Sequence, residues 1–422
     1  MNNDERSSMG MPPHAGACKR VKVLWLTSSY PRFADDSASI FLRGLAQAIT
    51  RQGFDLHIVS PDDATVDPTF EQQLMRHHRF VYFWPKSGQQ LAYGSGILPN
   101  MRARPYLLLQ VPFFVAAAFF KTWRVIRHNK PDLLHAHWLF PQGLVAVALA
   151  RFHRIPVIVT AHGGDAFALQ GSVLSQLKQW TVKHCSAWTS NTRATANTLG
   201  KDGKAPVIIP MGIDYPAFNS GNPRLHRAAL NSDTLVLLFV GRLVEKKGVA
   251  DLIRAVHLLP DDLKHKSELW IIGDGTDRDS LEALACRYGL SDRVKFHGRI
   301  PNQDLTDYYA AADIFIAPSV VDGKGDTEGQ GVILLEAMAS GTAVISTKTG
   351  GISEVITHLK TGLLISPEQP EELKAAIERL MVNSDLRQAL ATAGQSRAQL
   401  YDWSIIGERF SALYRQLTGS LR

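Results

Sequence analysis

Asp326-Thr327-Glu328-Gly329-Gln330-Gly331-Val332-Ile333-Leu334-Leu335-Glu336-Ala337-Met338-Ala339-Ser340-Gly341 is the stretch that decides how the chain is read. Just before it, Ala312 to Pro318 is a short apolar run of the kind that forms a buried strand. After it, Ser340-Gly341 stops a helix, and Thr342 to Ser346 is a second strand. Glu328 therefore belongs to a loop that leaves a strand, and Glu336 to the helix that this loop opens. In open α/β sheets that crevice is where ligands bind.

Working outward, the alternation of strand and helix continues on both sides. Strands are expected at 21–27, 56–60, 132–138, 156–161, 186–190 and 206–210 in the first half. In the second half they are expected at 235–240, 268–272, 294–296 and 363–365. Helical periodicity covers 39–51, 143–152, 171–184, 249–259, 281–288 and 371–380, and residues 386–418 are mostly helical. The pattern predicts two doubly wound, Rossmann-like domains facing a central cleft. Met211 to Pro216, rich in Gly and Pro, is the linker. The expected division is a disordered tail at 1–20, a first domain at 21–212, a second at 213–400 and a closing helix at 401–422. Residues 62–104 mix turn residues with aromatics and give no clear element.

The 422 residues carry a net charge of +7, unevenly shared. Residues 1–213 hold 23 Lys and Arg against 12 Asp and Glu, a balance of +11; residues 214–422 hold 23 against 27, a balance of −4. A basic first half suits an anionic partner such as a membrane surface or an acidic polymer, or it is ordinary solvated charge. No basic run with interleaved aromatics appears, so nucleic acid is not an expected partner. Three scattered cysteines follow no metal spacing and suit a reducing compartment. The apolar run 106–120, interrupted by Pro112, is shorter than the ~20 residues of a spanning helix. Arg102, Arg104, Lys121, Arg124, Arg127 and Lys130 flank it, so 102–130 is either a packed helix or one that also touches a membrane.

The two glutamates are poorly spaced for a paired acid and base. On one helix, eight residues would separate them by ~12 Å along the axis, whereas glycosidase pairs sit within ~10 Å. They are better suited to gripping two hydroxyl-bearing parts of one long ligand, unless they merely cap the helix or face solvent. Gly329 and Gly331 allow backbone N–H groups to approach an anion at the helix start. Arg242, in Gly241 to Gly248, and one or both of Lys246 and Lys247 are candidates for a diphosphate. His162 ends a strand before two glycines and Asp165, at what reads as an exposed crevice position suited to a neutral imidazole. His135 and His137 share one strand face but lack a fixed third ligand, so they read as packed or site-lining residues and no metal is expected. Gly273-Asp274-Gly275 fails as a dinucleotide fingerprint because position 278 is Arg.

Taken together, Thr160 to Asp165, Pro210 to Asp214, Gly241-Arg242 to Lys247-Gly248, and Pro318 to Ala339 resemble the retaining GT-B glycosyltransferases of family 4, with the last segment carrying their Glu-x7-Glu motif. The resemblance implies a nucleoside-diphosphate sugar as donor and no cofactor. Glu336 would hold the ribose hydroxyls, and Glu328 with the amides of Gly329, Gln330 and Gly331 the donor sugar. Arg242 and Lys247 would neutralise the leaving diphosphate in place of a metal, and His162 would contact sugar or phosphate from the first domain. It also implies same-face attack with the leaving phosphate as base, and a last helix that crosses back to the first domain. The acceptor would be a glycan or lipid-linked molecule, met in the cytoplasm or at the inner face of the membrane. A nucleotide-sugar epimerase or a non-catalytic binding protein of the same architecture are the alternatives. The chain departs from the family at Asp35-Asp36-Ser37-Ala38-Ser39, where a glycine is usual before the first helix.

Overall fold

The computed structural model describes residues 20–36, 38–70, 74–94, 96–167, 171–199, 204–228 and 230–419. All of the expected tail except Arg20 lies outside them, as do Ser37 and the side chain of Asp165.

Two all-parallel sheets organise the chain. The first contains β1 (Lys22–Leu26), β2 (Asp55–Pro61), β3 (Arg76–Phe80), β4 (Leu133–His137), β5 (Val157–Ala161), β6 (Ala187–Ser190) and β7 (Val207–Ile208), in the order β3-β2-β1-β4-β5-β6-β7. The second contains β8 (Leu235–Val240), β9 (Ser267–Ile272), β10 (Val294–Gly298), β11 (Ile314–Ala317), β12 (Ala343–Thr347) and β13 (Leu363–Ile365), in the order β10-β9-β8-β11-β12-β13. The order reverses beside β1 in one sheet and beside β8 in the other, and loops at such reversals open crevices at the strand C-termini. Central strands are apolar on both faces because helices cover both: β8 is Leu-Val-Leu-Leu-Phe-Val and β11 is Ile-Phe-Ile-Ala. Each sheet accordingly has a separate apolar cluster on either side.

The last helix, Trp403–Gly419, belongs to the first sheet. Its Ile406, Phe410, Leu413 and Tyr414 pack with Trp25, Leu45 and Ile49. The Tyr414 hydroxyl lies 3.1 Å from Trp25 Nε1, which donates to it, and 2.6 Å from His135 Nδ1. His135 Nε2 is 2.7 Å from Thr160 Oγ1, so this histidine is fully engaged inside the core.

Two expectations are corrected here. Within 62–104 lies a strand, β3, hidden by its polar sequence Arg76-His77-His78-Arg79-Phe80; as the edge strand it is only partly buried. Pro112 does not interrupt the apolar helix. It sits in the first turn of Val111–Asn129, where its missing N–H costs no hydrogen bond. Residues 386–418 are mostly helical as expected, in two helices, Ser384–Gln399 and Trp403–Gly419.

The absent glycine before the first helix is replaced by a strained serine. Ser39, the N-cap of Ile40–Arg51, adopts φ 53° and ψ 40°. That left-handed conformation costs an L-residue ~1–2 kcal/mol. The Ser39 hydroxyl lies 2.5 Å from that of Ser29, which ties the loop after β1 to the helix start.

Candidate active site

Glu328 lies in the loop after β11, and Glu336 lies in helix Val332–Ala339. Gly331, at φ 75° and ψ 58°, is the N-cap that turns the chain from one to the other. Lys247 faces Glu328 from the loop after β8, with Nζ 2.6 Å from Oε1 and both side chains nearly buried. A parallel pair lies beside it: Lys246 Nζ is 3.0 Å from Asp326 Oδ2. Lys246-Lys247 thus meets Asp326-Thr327-Glu328 rung by rung.

Burial alone would raise the Glu328 carboxyl, but Lys247, then Lys246 and Arg242, hold it below the ordinary carboxylate range. Glu336 behaves in the opposite way. Burial pushes it up to about 7, against the opposing effects of a hydrogen bond from Tyr309 and of Lys247. The Tyr309 hydroxyl donates to Glu336 Oε2 at 2.8 Å. Lys247 acts electrostatically on both carboxylates, so the two glutamates and this lysine form one charged unit. Arg242 is exposed beside it and lines a cavity that opens toward the first sheet.

The first sheet supplies the opposite wall. A Cβ placed on Gly163, just after β5, would stand 2.6 Å from the Cα of Gly329, so the two halves meet backbone to backbone. Thr192 Oγ1 lies 2.9 Å from the Gly329 carbonyl oxygen. Arg193 and Ala194 donate their backbone N–H groups to the Glu354 carboxylate at 3.0 and 2.9 Å, clasping the seam at the start of a short helix.

One site expectation changes. His162 is not exposed: it is 6 % accessible and packs against Phe41, Trp138 and His137. Burial takes its imidazole down to about 3, so it is neutral at ordinary pH. The Gln330 side chain, as distinct from its backbone amide, is engaged within the protein. Its Oε1 accepts from Met211 N at 2.7 Å and its Nε2 donates to Met211 O at 2.9 Å, pinning the linker to the glutamate loop. Sequence reasoning missed Tyr309, which lies in helix Leu305–Ala311 without any motif around it. It also missed Asp326, which lies two positions before Glu328 and pairs with Lys246 beside the Lys247–Glu328 pair. Among the described residues, no group of three or more His, Cys, Asp or Glu is placed to hold a metal ion.

This geometry can be set beside known proteins. Residues 38–215 match the family Glycosyltransferase Family 4, and residues 224–397 match Glycosyl transferases group 1. A D-inositol 3-phosphate glycosyltransferase from Corynebacterium jeikeium is 30 % identical over 311 residues, covering 68 % of this chain and 72 % of that protein. The chain belongs to the group 1 glycosyltransferases. A second relative from this family is a GDP-mannose-dependent monoacylated alpha-(1-6)-phosphatidylinositol monomannoside mannosyltransferase of Corynebacterium glutamicum, 33 % identical over 306 residues, covering 68 % and 77 %. Among solved structures, Anabaena HepE in complex with UDP superposes with a TM-score of 0.73 at 20 % identity, over 94 % of this chain and 100 % of that one. The GT-B architecture, two doubly wound sheets with the last helix returning to the first, is the fold of this group 1 glycosyltransferase.

Proposed function

We propose that this glycosyltransferase moves a sugar from a nucleoside-diphosphate sugar to a glycan or lipid-linked acceptor, with retention of configuration and without a metal ion. The observation that carries the reading is the Lys247, Glu328 and Glu336 unit, a cation between two carboxylates of opposite character. The Glu336 carboxylate accepts from the ribose diol. Glu328, kept ionised by Lys247, accepts from hydroxyls of the transferred sugar, with the N–H groups of Gly329 to Gly331 beside it. Arg242 and Lys247 take up the charge that develops on the departing diphosphate, the role a metal ion fills elsewhere. The neutral His162 contacts the sugar or phosphate through a polar ring that carries no charge. In the reaction the acceptor oxygen bonds to the anomeric carbon as that carbon's bond to the diphosphate oxygen breaks. The acceptor's proton passes to the leaving phosphate on the same face.

The acceptor side of the reading rests on 102–130. Tyr106, Leu109, Phe113 and Phe120 are each more than half exposed, and Arg102, Arg104, Arg124 and Arg127 are exposed among them. Pro105–Asn129 is long and apolar enough to cross a membrane, yet its Phe114, Ala118 and Ile126 belong to the first core. A helix anchored in this way lies on an anionic membrane, at its cytoplasmic face, rather than through it.

A panel of UDP-, GDP- and ADP-sugars, followed by nucleotide release, tests the reaction. One donor is expected to be turned over, with Glu328→Ala and Lys247→Ala each losing ~100-fold or more in kcat, the scale of a lost charge-stabilising group. Turnover unchanged in both variants refutes the assignment. Flotation with anionic liposomes tests the surface, and binding that survives neutralising Arg124 and Arg127 together counts against it.

A further inference from the structure

The cavity beside Arg242 has a composition that the donor does not explain. It measures about 630 Å³ and runs from the Lys246–Asp326 pair into the first sheet's helices. Ser29 and Ser39, joined hydroxyl to hydroxyl, line it from the first half, and Arg242, Lys246 and Asp326 from the second. Most of the remaining lining is apolar, among it Leu91, Ile97, Leu98, Val111 and Phe114, with Arg102 and Gln142 among the polar exceptions. A mostly apolar slot with a small set of polar side chains orients a ligand that is itself divided. Val111 and Phe114 form part of the wall, while Leu109 and Phe113 on the same turns are exposed outside. The wall is therefore one helix thick, with apolar surface on both sides.

We propose that this cavity binds an amphiphile, seating a hydroxylated head at Ser39 and Asp326 and drawing the first part of an alkyl chain inside, along Ile97, Val111 and Phe114. Asp326 and Lys246 suit the head: paired at 3.0 Å and both lining the cavity, they set a carboxylate acceptor beside an ammonium donor. The volume holds on the order of twenty heavy atoms, enough for a hexose and about eight carbons. That the head is the sugar acceptor rests on the transferase reading; that the chain enters the protein does not.

Alkyl glucosides from methyl to dodecyl, titrated into the full chain below their micelle concentrations, test the site. The dissociation constant is expected to fall about fourfold per added methylene up to about eight carbons and then level off. Ile97→Trp fills the slot and is expected to flatten that dependence, and Leu98→Trp on the same wall repeats the test if the first variant does not fold. Asp326→Asn is expected to weaken every member of the series by about tenfold and leave the slope intact, as loss of a hydrogen bond to a charged group does. No dependence on chain length in the wild type, or a slope unchanged in both tryptophan variants, overturns the proposal. The same series offered as acceptors separates the two readings. Binding with a slope but no transfer from any donor refutes the transferase reading and leaves the site standing. Transfer that is indifferent to chain length refutes the site and leaves the transferase standing.

Discussion

Tyr309→Phe isolates one hydrogen bond and gives it a pH signature. In the wild type the Tyr309 hydroxyl donates to Glu336 Oε2 at 2.8 Å, and the Glu336 pKa stands at about 7. A hydrogen bond to a charged group is worth ~1.5–3 kcal/mol, so without it Glu336 holds its proton ~10- to 150-fold more tightly. Ribose hydroxyls need the ionised form as acceptor. At about pH 7.5 roughly three-quarters of wild-type Glu336 is ionised and roughly a tenth in the variant, a loss in nucleotide affinity of ~3- to 40-fold. By about pH 10 both are mostly ionised and the ratio approaches one. Titration of UDP or GDP into both proteins across this range measures it, and taking the variant-to-wild-type ratio cancels the ionisation of the nucleotide itself. A loss that stays constant with pH, or no loss at about pH 7.5, refutes both the assigned role of Glu336 and the part played by Tyr309. Folding stability runs the opposite way with pH. A carboxyl raised above its usual pKa stabilises most at acid pH, and that contribution is lost as pH rises through about 7.

Gly163→Ala places a methyl group against Gly329; it is expected to cost ~1–3 kcal/mol of interdomain closure, read as a larger radius of gyration in solution scattering and a lower kcat/KM. Lys247→Met leaves Glu328 buried without its partner, a loss of ~3–5 kcal/mol that Lys247→Met/Glu328→Gln is expected largely to restore; a thermal-melt double-mutant cycle showing no coupling refutes the pair. Ser39→Gly is expected to be ~1 kcal/mol more stable than Ser39→Ala, since both lack the hydroxyl and only alanine keeps the left-handed strain; equal melting temperatures contradict this. Glu354→Gln weakens the clasp on Arg193 and Ala194, so the amides of those two residues are expected to exchange hydrogen faster while those of β8 do not change.

Much of this molecule could be read from its chain because apolar content and position agree. β8 and β11 are continuous apolar runs, and a strand buried on both faces has no other composition available. β3 escaped because an edge strand needs little burial, and Arg76-His77-His78-Arg79 offers no period to find. Glu328, Glu336, Arg242 and Lys247 were legible as candidates because each pair follows an apolar strand, β11 or β8, and those two strands are neighbours at the point where the sheet order reverses. What spacing does not carry is which atom faces which. Gln330 lies inside the motif yet spends its amide on Met211, and Tyr309 lies outside any motif yet completes the site. His162 was placed correctly at the end of β5 but not in depth, since its cover of Phe41 and Trp138 comes from segments distant in sequence.

The returning helix sets an order on synthesis. Trp25 and His135 find their shared partner only at Tyr414, and Phe410 is fully buried against the same face. Domains commonly fold in the order in which they leave the ribosome. Here the half made first emerges with one face of its sheet only partly covered, by helix Ile40–Arg51, and the segment that completes the cover is made after the whole second sheet. The second half can finish its own core while the first still waits, so the half made first is the last to be completed.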